Sequence, residues 1–347
     1  TVRMCNCIHL LDSGEIVASG TYDQLLASSK EFNEMRIFRI IANLRKLIIV
    51  VTKISLGEIL LLLEKAVSEK PVIAFKENDK ASICGVENDF LFQQALNNGL
   101  SGNEPHFEKV IKLLVNSKSN TLDVGANIGT HSIILSQTAS EGQVFSFEPQ
   151  SLVYSLLQNN LLLNQCSNVT TYKFALAKTS NNVISMESFS FNGNQVNNGA
   201  LRVDKSNITK GDLVLTKSLD SFSFPKIDFI KLDIQGAELD ALGGAEKLIS
   251  RDRPVIFIEI EEHHLRALNA SSKELIEKIF GFDYVLFRIE TNYPCDHLCI
   301  PLESVEHFEE KITPNIPYEL TKLQGKKIEL KFKSSWAHNY ESFKIIE

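Results

Sequence analysis

The chain lacks a run of uncharged apolar residues long enough to cross a bilayer. The Leu/Ile-rich stretch from Leu47 to Leu63 comes nearest, but Lys53 and Glu58 interrupt it short of the ~18 residues that spanning needs. That stretch reads as one or two buried helices. Positive charge is also short: 36 lysines and arginines face 43 aspartates and glutamates, for a net charge of −7. General nucleic-acid binding needs a basic face, so that class is disfavoured. Cysteine is sparse, with six in 347 residues and no regular spacing. This argues against a disulfide framework and for a reducing, cytoplasmic setting. No signal peptide opens the sequence, and a first residue of Thr1 leaves the true start expected upstream.

What the chain does contain is organised around T-L-D-V-G-A-N-I-G-T-H, Thr121 to His131. Leu122 and Val124 read as a short buried strand. Gly125 and Gly129 allow a tight turn and a close backbone approach to a ligand. Ile133, Ile134 and Leu135 then open a helix with unpaired N-terminal N–H groups. Strand, glycine turn and helix form the first unit of a nucleotide-binding α/β sheet. The third glycine of G-x-G-x-x-G, which brings a pyrophosphate close, is missing. Asp123 stands where a dinucleotide fold keeps an apolar residue. It would repel phosphate and suit a cation, such as the amino group of S-adenosylmethionine. A nicotinamide-dependent dehydrogenase is the weaker reading.

Along the rest of the chain, Ile8–Leu11 and Glu15–Ala18 flank D-S-G as a hairpin. Residues 31–66 read as helical, and Val72 to Phe90 as short strands. Phe107, Val110, Ile111 and Leu114 mark one face of an amphipathic helix leading into the central strand. Further strands are expected at Gln143–Phe147, Val169–Phe174, Ile227–Leu232 and Pro254–Ile260. Tyr284 to Pro301 should complete a mixed sheet edge. Residues 181–211, polar and rich in Asn and Gly, are too long for a bare connection and predict a hairpin insertion over the site. Asp123, Glu148, Asp233 and Glu259 all fall at carboxyl ends of strands, where α/β sheets hold ligands. Glu148, about twenty residues past the turn, is placed to accept both ribose hydroxyls. Gly236 is read as a close backbone approach.

T-L-D-V-G-A-N-I-G-T-H-S, F-S-F-E-P, S-L-D, D-F-I-K-L-D-I-Q-G-A-E, R-P-V-I-F-I-E-I and C-D-H-L-C-I-P-L-E occur in the order and spacing of FkbM-type methyltransferases. The resemblance covers roughly Glu104 to Ser304. It implies a class I, Rossmann-like α/β fold: a mostly parallel sheet, helices on both faces and a β-hairpin insertion. It also implies S-adenosylmethionine as cofactor and methylation of a hydroxyl on a sugar, glycoconjugate or secondary metabolite. Asp123, Gly125, Asn127 and Gly129 would cradle the methionine part, Glu148 the ribose, and Asp233 would lie beside the transferred methyl. Two positions depart from the family pattern. Gln235 replaces the first glutamate of D-V-E-G-A-E, and Lys178 stands where an acid often helps place adenine. The opening residues, through L-L-D-S-G-E-I-V-A-S-G-T-Y-D-Q-L-L, resemble the end of an ABC-transporter ATPase domain without any of its ATP-handling motifs. The expected organisation is therefore an ATPase-tail-like segment (1–36), a helical and short-strand extension (37–103), the methyltransferase domain (104–304) and a C-terminal extension (305–347).

A sugar hydroxyl needs a base to begin taking its proton. Asp233 is the first candidate, with a hydrogen bond to the cofactor amino group as its competing role. His263, His264 and Glu259 follow or close the fifth strand and are further candidates. No metal site is expected: Glu259 and Asp233 lack a third ligand, and Cys295, His297 and Cys299 lack a fourth. The expected partner is a small-molecule or glycan acceptor, without nucleic acid or membrane insertion, and with a transporter as a further candidate. The rival outside enzymes is a non-catalytic cofactor-binding or transporter-associated module, kept open by Gln235.

Overall fold

Leu122, Ile230 and Ile256 stand in register on three adjacent parallel strands, as do Val124, Leu232 and Ile258. Strands buried on both faces need such apolar runs, because helices must cover each side. In the computed structural model these strands are β1 (Thr121–Val124), β4 (Phe229–Leu232) and β5 (Val255–Glu259). They are joined by β2 (Val144–Phe147), β3 (Val169–Tyr172), β6 (Tyr284–Ile289), β7 (Asp296–Pro301) and β8 (Leu320–Leu323). The spatial order is 3-2-1-4-5-7-6-8. Strands 1 to 5 run parallel, while β7 lies antiparallel between β5 and β6, and β8 pairs antiparallel with β6. The structure describes residues 8–12, 15–20, 73–77, 81–86, 89–102, 104–186, 212–293, 295–332 and 338–346.

One face of the sheet carries the in-register Leu122, Val124, Ile230, Leu232, Ile256 and Ile258. They pack with Ala241, Leu242, Leu248, Ile249, Leu275, Ile276 and Ile279 from the helices that follow β4 and β5. The last of these helices, Ser272–Phe280, starts on a Ser271 cap that accepts the Glu274 N–H at 3.3 Å. The opposite face is covered by α1 (Pro105–Leu114) and α2 (Thr130–Thr138). Pro105 sits at the first turn of α1, where a missing N–H is harmless. Phe107, Val110 and Ile111 are buried, and Phe107 meets Phe257 of β5 edge-to-face at 5.1 Å. The expected α/β sheet with helices on both faces is thus present.

The residues 8–12 and 15–20 form the expected antiparallel hairpin, with a register shift at Leu10/Leu11. Strands also occur at Ile73–Glu77 and Ser82–Val86. The helices read from residues 31–66, and the rest of the ATPase-tail-like segment, lie outside the described residues. The predicted insertion begins as a hairpin, Val183–Met186 against Asp212–Lys217; residues 187–211 lie outside the description. Two boundaries differ from expectation. The helix Phe90–Asn98, assigned to the extension, contributes Phe90, Leu91, Gln94 and Ala95 to the central cavity. The division at 304 separates β8 from β6, although the two are hydrogen-bonded in one sheet. That segment has short, weakly patterned elements, so its strand is specified by the edge it pairs with. Among the described residues, no helix is long and apolar enough to cross a membrane.

Candidate active site

The strand order reverses direction between β1 and β4, and ligands of α/β sheets sit beyond the carboxyl ends of strands at such a point. A cavity of about 1670 Å³ opens there. It exceeds the range of about 300–1,000 Å³ usual for one small molecule, so cofactor and acceptor can share it. Gly125, Asn127, Glu148, Asp233 and Glu259 all line it.

The turn after β1 is saturated from within. The N–H groups of Gly125 and Ala126 donate to the Phe147 carbonyl at 3.1 and 2.9 Å, and that of Gly129 donates to Ala126 O at 2.9 Å. Asn127 N–H donates to Glu148 Oε2 at 3.1 Å, and Ile128 N–H to Asn127 Oδ1 at 2.7 Å. The N–H groups of the turn itself are thus spent within the protein, while Thr130 and His131, at the start of α2, line the cavity. Glu148 is 7 % exposed, with Oε1 accepting from Gln150 N–H at 2.9 Å. Burial raises its pKa to about 7, against the opposing pull of the Gln150 and Asn127 N–H groups. A carboxylate has about four acceptor positions, so capacity for two hydroxyls remains.

At the other end, β4 delivers a cation that the sequence reading passed over. Lys231 is 2 % exposed and stands in register with Asp123. Its Nζ donates to Gly125 O at 2.9 Å and lies 3.2 Å from Asp233 and 3.6 Å from Asp123. Burial opposes its charge, but Asp233, Asp123 and Glu104 outweigh that and raise its pKa. Burial likewise pushes Asp233 upward, yet Lys231 and the Gln235 amide hold its carboxyl below the usual range. Gln235 Nε2 donates to Asp233 Oδ1 at 2.8 Å and to Glu259 Oε2 at 3.1 Å, from a left-handed backbone with φ 55°. Glu259 moves the other way, well above its ordinary value, by burial and the nearby Asp233, Asp296 and Glu261.

Three expected contacts are corrected. Asp123 lies beneath the cavity, fully buried, and accepts a 2.5 Å bond from Ser132. It occupies a position inside β1, whose side chains alternate between faces, so it supports Lys231 from below. Gly129 is also outside the wall; a side chain there would strike Leu157, so it serves helix packing. His263 turns away from the cavity, while its neighbour His264 lines it. Adjacent residues of a helix point about 100° apart, and the α-helix Glu262–Ala267 brings only one imidazole inward. Gly236 does mark a close approach, but to the backbone of His264. Lys178 lines the cavity as well. His297 has both ring nitrogens engaged, by Cys295 O at 2.8 Å and Tyr340 Oη at 2.7 Å, and Cys295 and Cys299 are free thiols. That trio is structural. The signal for Lys231 was legible: a lysine inside the apolar run F-I-K-L, paired across the sheet with Asp123.

The donor set fits S-adenosylmethionine: a buried carboxylate with acceptor capacity for two ribose hydroxyls, and carboxylates beside the space for a cationic centre. Residues 123–286 match the family model described as Methyltransferase FkbM domain. The hexuronic acid methyltransferase AglP of Haloferax volcanii is 28% identical over 165 residues, 45% of this chain and 62% of that protein. The chain therefore spans less than two thirds of that relative. Among solved structures, the FkbM methyltransferase of Methylobacillus flagellatus is 22% identical, with TM-score 0.37, covering 53% of this chain and 44% of the other. TYW2 of M. jannaschii, solved with AdoMet, is 13% identical with TM-score 0.38, over 66% and 84%. Over residues 123–286, a little under half of its length, the chain is thus similar to the FkbM methyltransferase domain.

Proposed function

We propose that the protein transfers a methyl group from S-adenosylmethionine to a hydroxyl oxygen of a sugar, glycoconjugate or secondary metabolite. The observation that carries this reading is the pair of differently tuned carboxylates facing one cavity, Glu148 beyond β2 and Asp233 beyond β4. The relative named for hexuronic acid methylation supports the sugar class.

When bound, the cofactor supplies an electrophilic methyl on a positively charged sulfur. The residues supply alignment and exclusion of water, since displacement at carbon gains most from a fixed in-line approach. Glu148 accepts the ribose hydroxyls. Lys231 fixes the Gly125 carbonyl and the Asp233 carboxylate relative to each other. Asp233, kept ionised by Lys231, orients the acceptor hydroxyl and takes its proton as the new bond forms. Gln235 holds Asp233 and Glu259 through a single amide, so the departure from the family's glutamate leaves a connected site.

The test is binding of labelled S-adenosylmethionine followed by turnover on a panel of glycans. Retention of label with transfer to a hydroxyl bears the reading out. Cofactor binding with no transfer to any hydroxyl acceptor would favour a non-catalytic module.

A further inference from the structure

The acceptor end of the cavity is short of positive charge. Asp233, Glu259, Glu261, Asp296 and Glu104 all line it. Lys231 is already committed to Gly125 O, Asp233 and Asp123. His106 is taken by Asp296 at 2.7 Å, and His264 and His338 both pair with Glu261. His131, 3.7 Å from Glu104, is held neutral: burial and Lys231 lower its pKa to about 3. Among the described residues, neither Glu104 nor Glu259 has a lysine or arginine at ion-pair distance. Both are pushed well above the ordinary carboxylate range by burial and by the acids around them.

A ligand that brings a cation here relieves this crowding, whereas one that brings a carboxylate adds to it; Lys178, which also lines the cavity, is at ion-pair distance from none of these acids. We propose that the acceptor is a cationic amino sugar, with a hydroxyl set on Asp233 and its protonated amine facing Glu259 and Glu261. The Gln235 amide bonds to both Asp233 and Glu259, so the two carboxylates lie within the span of one pyranose ring. This assignment rests on the methyltransferase reading and narrows it. It separates the chain from its relative, which is named for a hexuronic acid.

Three methyl glycosides differing in charge decide the matter: glucoside, glucosaminide and glucuronide. Calorimetry at pH 7 on the full chain saturated with S-adenosylhomocysteine should show the glucosaminide binding at least tenfold tighter than the glucoside, the scale of one charge-assisted hydrogen bond. The glucuronide should not bind, and N-acetylation of the glucosaminide should remove the advantage. In Glu261→Gln the advantage should shrink to about threefold or less, with S-adenosylhomocysteine affinity unchanged as the check on folding. Equal binding of the three, or preference for the glucuronide, overturns the proposal. Glucuronide binding that requires added Mg²⁺ also overturns it, by giving the amine's place to a divalent cation. Binding of S-adenosylhomocysteine with none of the three glycosides removes amino sugars as acceptors. If S-adenosylhomocysteine itself does not bind, the methyltransferase reading fails, and the same titrations on the ligand-free chain decide the charge preference separately.

Discussion

Glu148 follows β2 and Asp233 follows β4, and both face the same cavity. Burial raises the pKa of each, but only one stays raised. Glu148 has two backbone N–H groups for company and settles at about 7. Asp233 has Lys231 at 3.2 Å and ends below its ordinary value. Strand ends place the carboxylates, and what stands two positions earlier on the same face differs between them. On β2 that residue is Ser146, bonded to Ser132; on β4 it is Lys231. One wall of the cavity thus keeps a titrating carboxyl, and the other a fixed anion.

Removing the cation should have the largest effect. Lys231→Met would leave Asp123 and Asp233 without their shared counter-ion. Deleting one partner of a buried ion pair costs about 3–5 kcal/mol, so denaturant unfolding should show a loss of that order. A change below about 1 kcal/mol would mean that the two aspartates do not depend on Lys231. The next effect is chemical. Asp233→Asn preserves shape while removing charge, and kcat should fall by roughly 10²–10⁴-fold with cofactor affinity nearly intact. Loss confined to cofactor binding would make Asp233 an anchor and leave Glu259 as the candidate base.

Glu148 predicts a smaller and pH-dependent effect. Glu148→Ala should weaken S-adenosylmethionine binding by about tenfold or more, the scale of charge-assisted hydrogen bonds. Its folded pKa of about 7 lies above the ordinary glutamate value of 4.5. Between those values the ligand-free folded state holds a proton that the unfolded chain has released. Glu148 therefore makes stability decline as pH rises through that window. Cofactor affinity should run the opposite way, because the ribose hydroxyls need the ionised acceptor. It should rise toward pH 7 by up to about tenfold per unit and flatten above it. Calorimetry across pH 5.5–8.5 checks this, and an unchanged slope in Glu148→Gln would place the titration elsewhere.

Most of the sheet was legible because parallel strands buried on both faces write themselves as apolar runs, V-F-S-F, F-I-K-L and V-I-F-I-E. Carboxylates at their ends could be located by the same rule. What the sequence hid was orientation. Asp123 lies one residue inside β1, so the strand's alternation carries it under the floor of the cavity. His263 and His264 are adjacent in sequence, and only the position of their short helix decides which one faces inward. Lys231 was visible as a charged residue in an apolar strand, but its meaning needed the β1–β4 register. The edge strand β8 has little pattern of its own and was missed for that reason.

The smallest expected effect concerns Gln235, which joins Asp233 to the neighbouring Glu259. Its amide donates to both carboxylates at 2.8 and 3.1 Å. Gln235→Glu restores the glutamate of the family pattern and keeps the side chain's size, but replaces a shared donor by a third acid. A third carboxylate beside Asp233 and the already raised Glu259 strengthens the hold of the group on a proton relative to the wild-type pair. The mutant should remain folded and active, unlike Asp233→Asn. Its kcat–pH profile should have a rising limb displaced upward by about one unit or more, and the rate should recover at higher pH. Cofactor affinity should change less than about threefold, because Glu148 and the β1 turn are untouched. Gln235→Leu, which removes the donor without adding an acid, separates positioning from charge: it should lower kcat at every pH without moving the limb. An upward shift in both variants would show that Gln235 acts through burial of the pair rather than through its amide. No shift in Gln235→Glu would mean that Glu259 already carries a proton and donates to the new glutamate. That outcome would withdraw Glu259 from the list of bases and leave Asp233 alone.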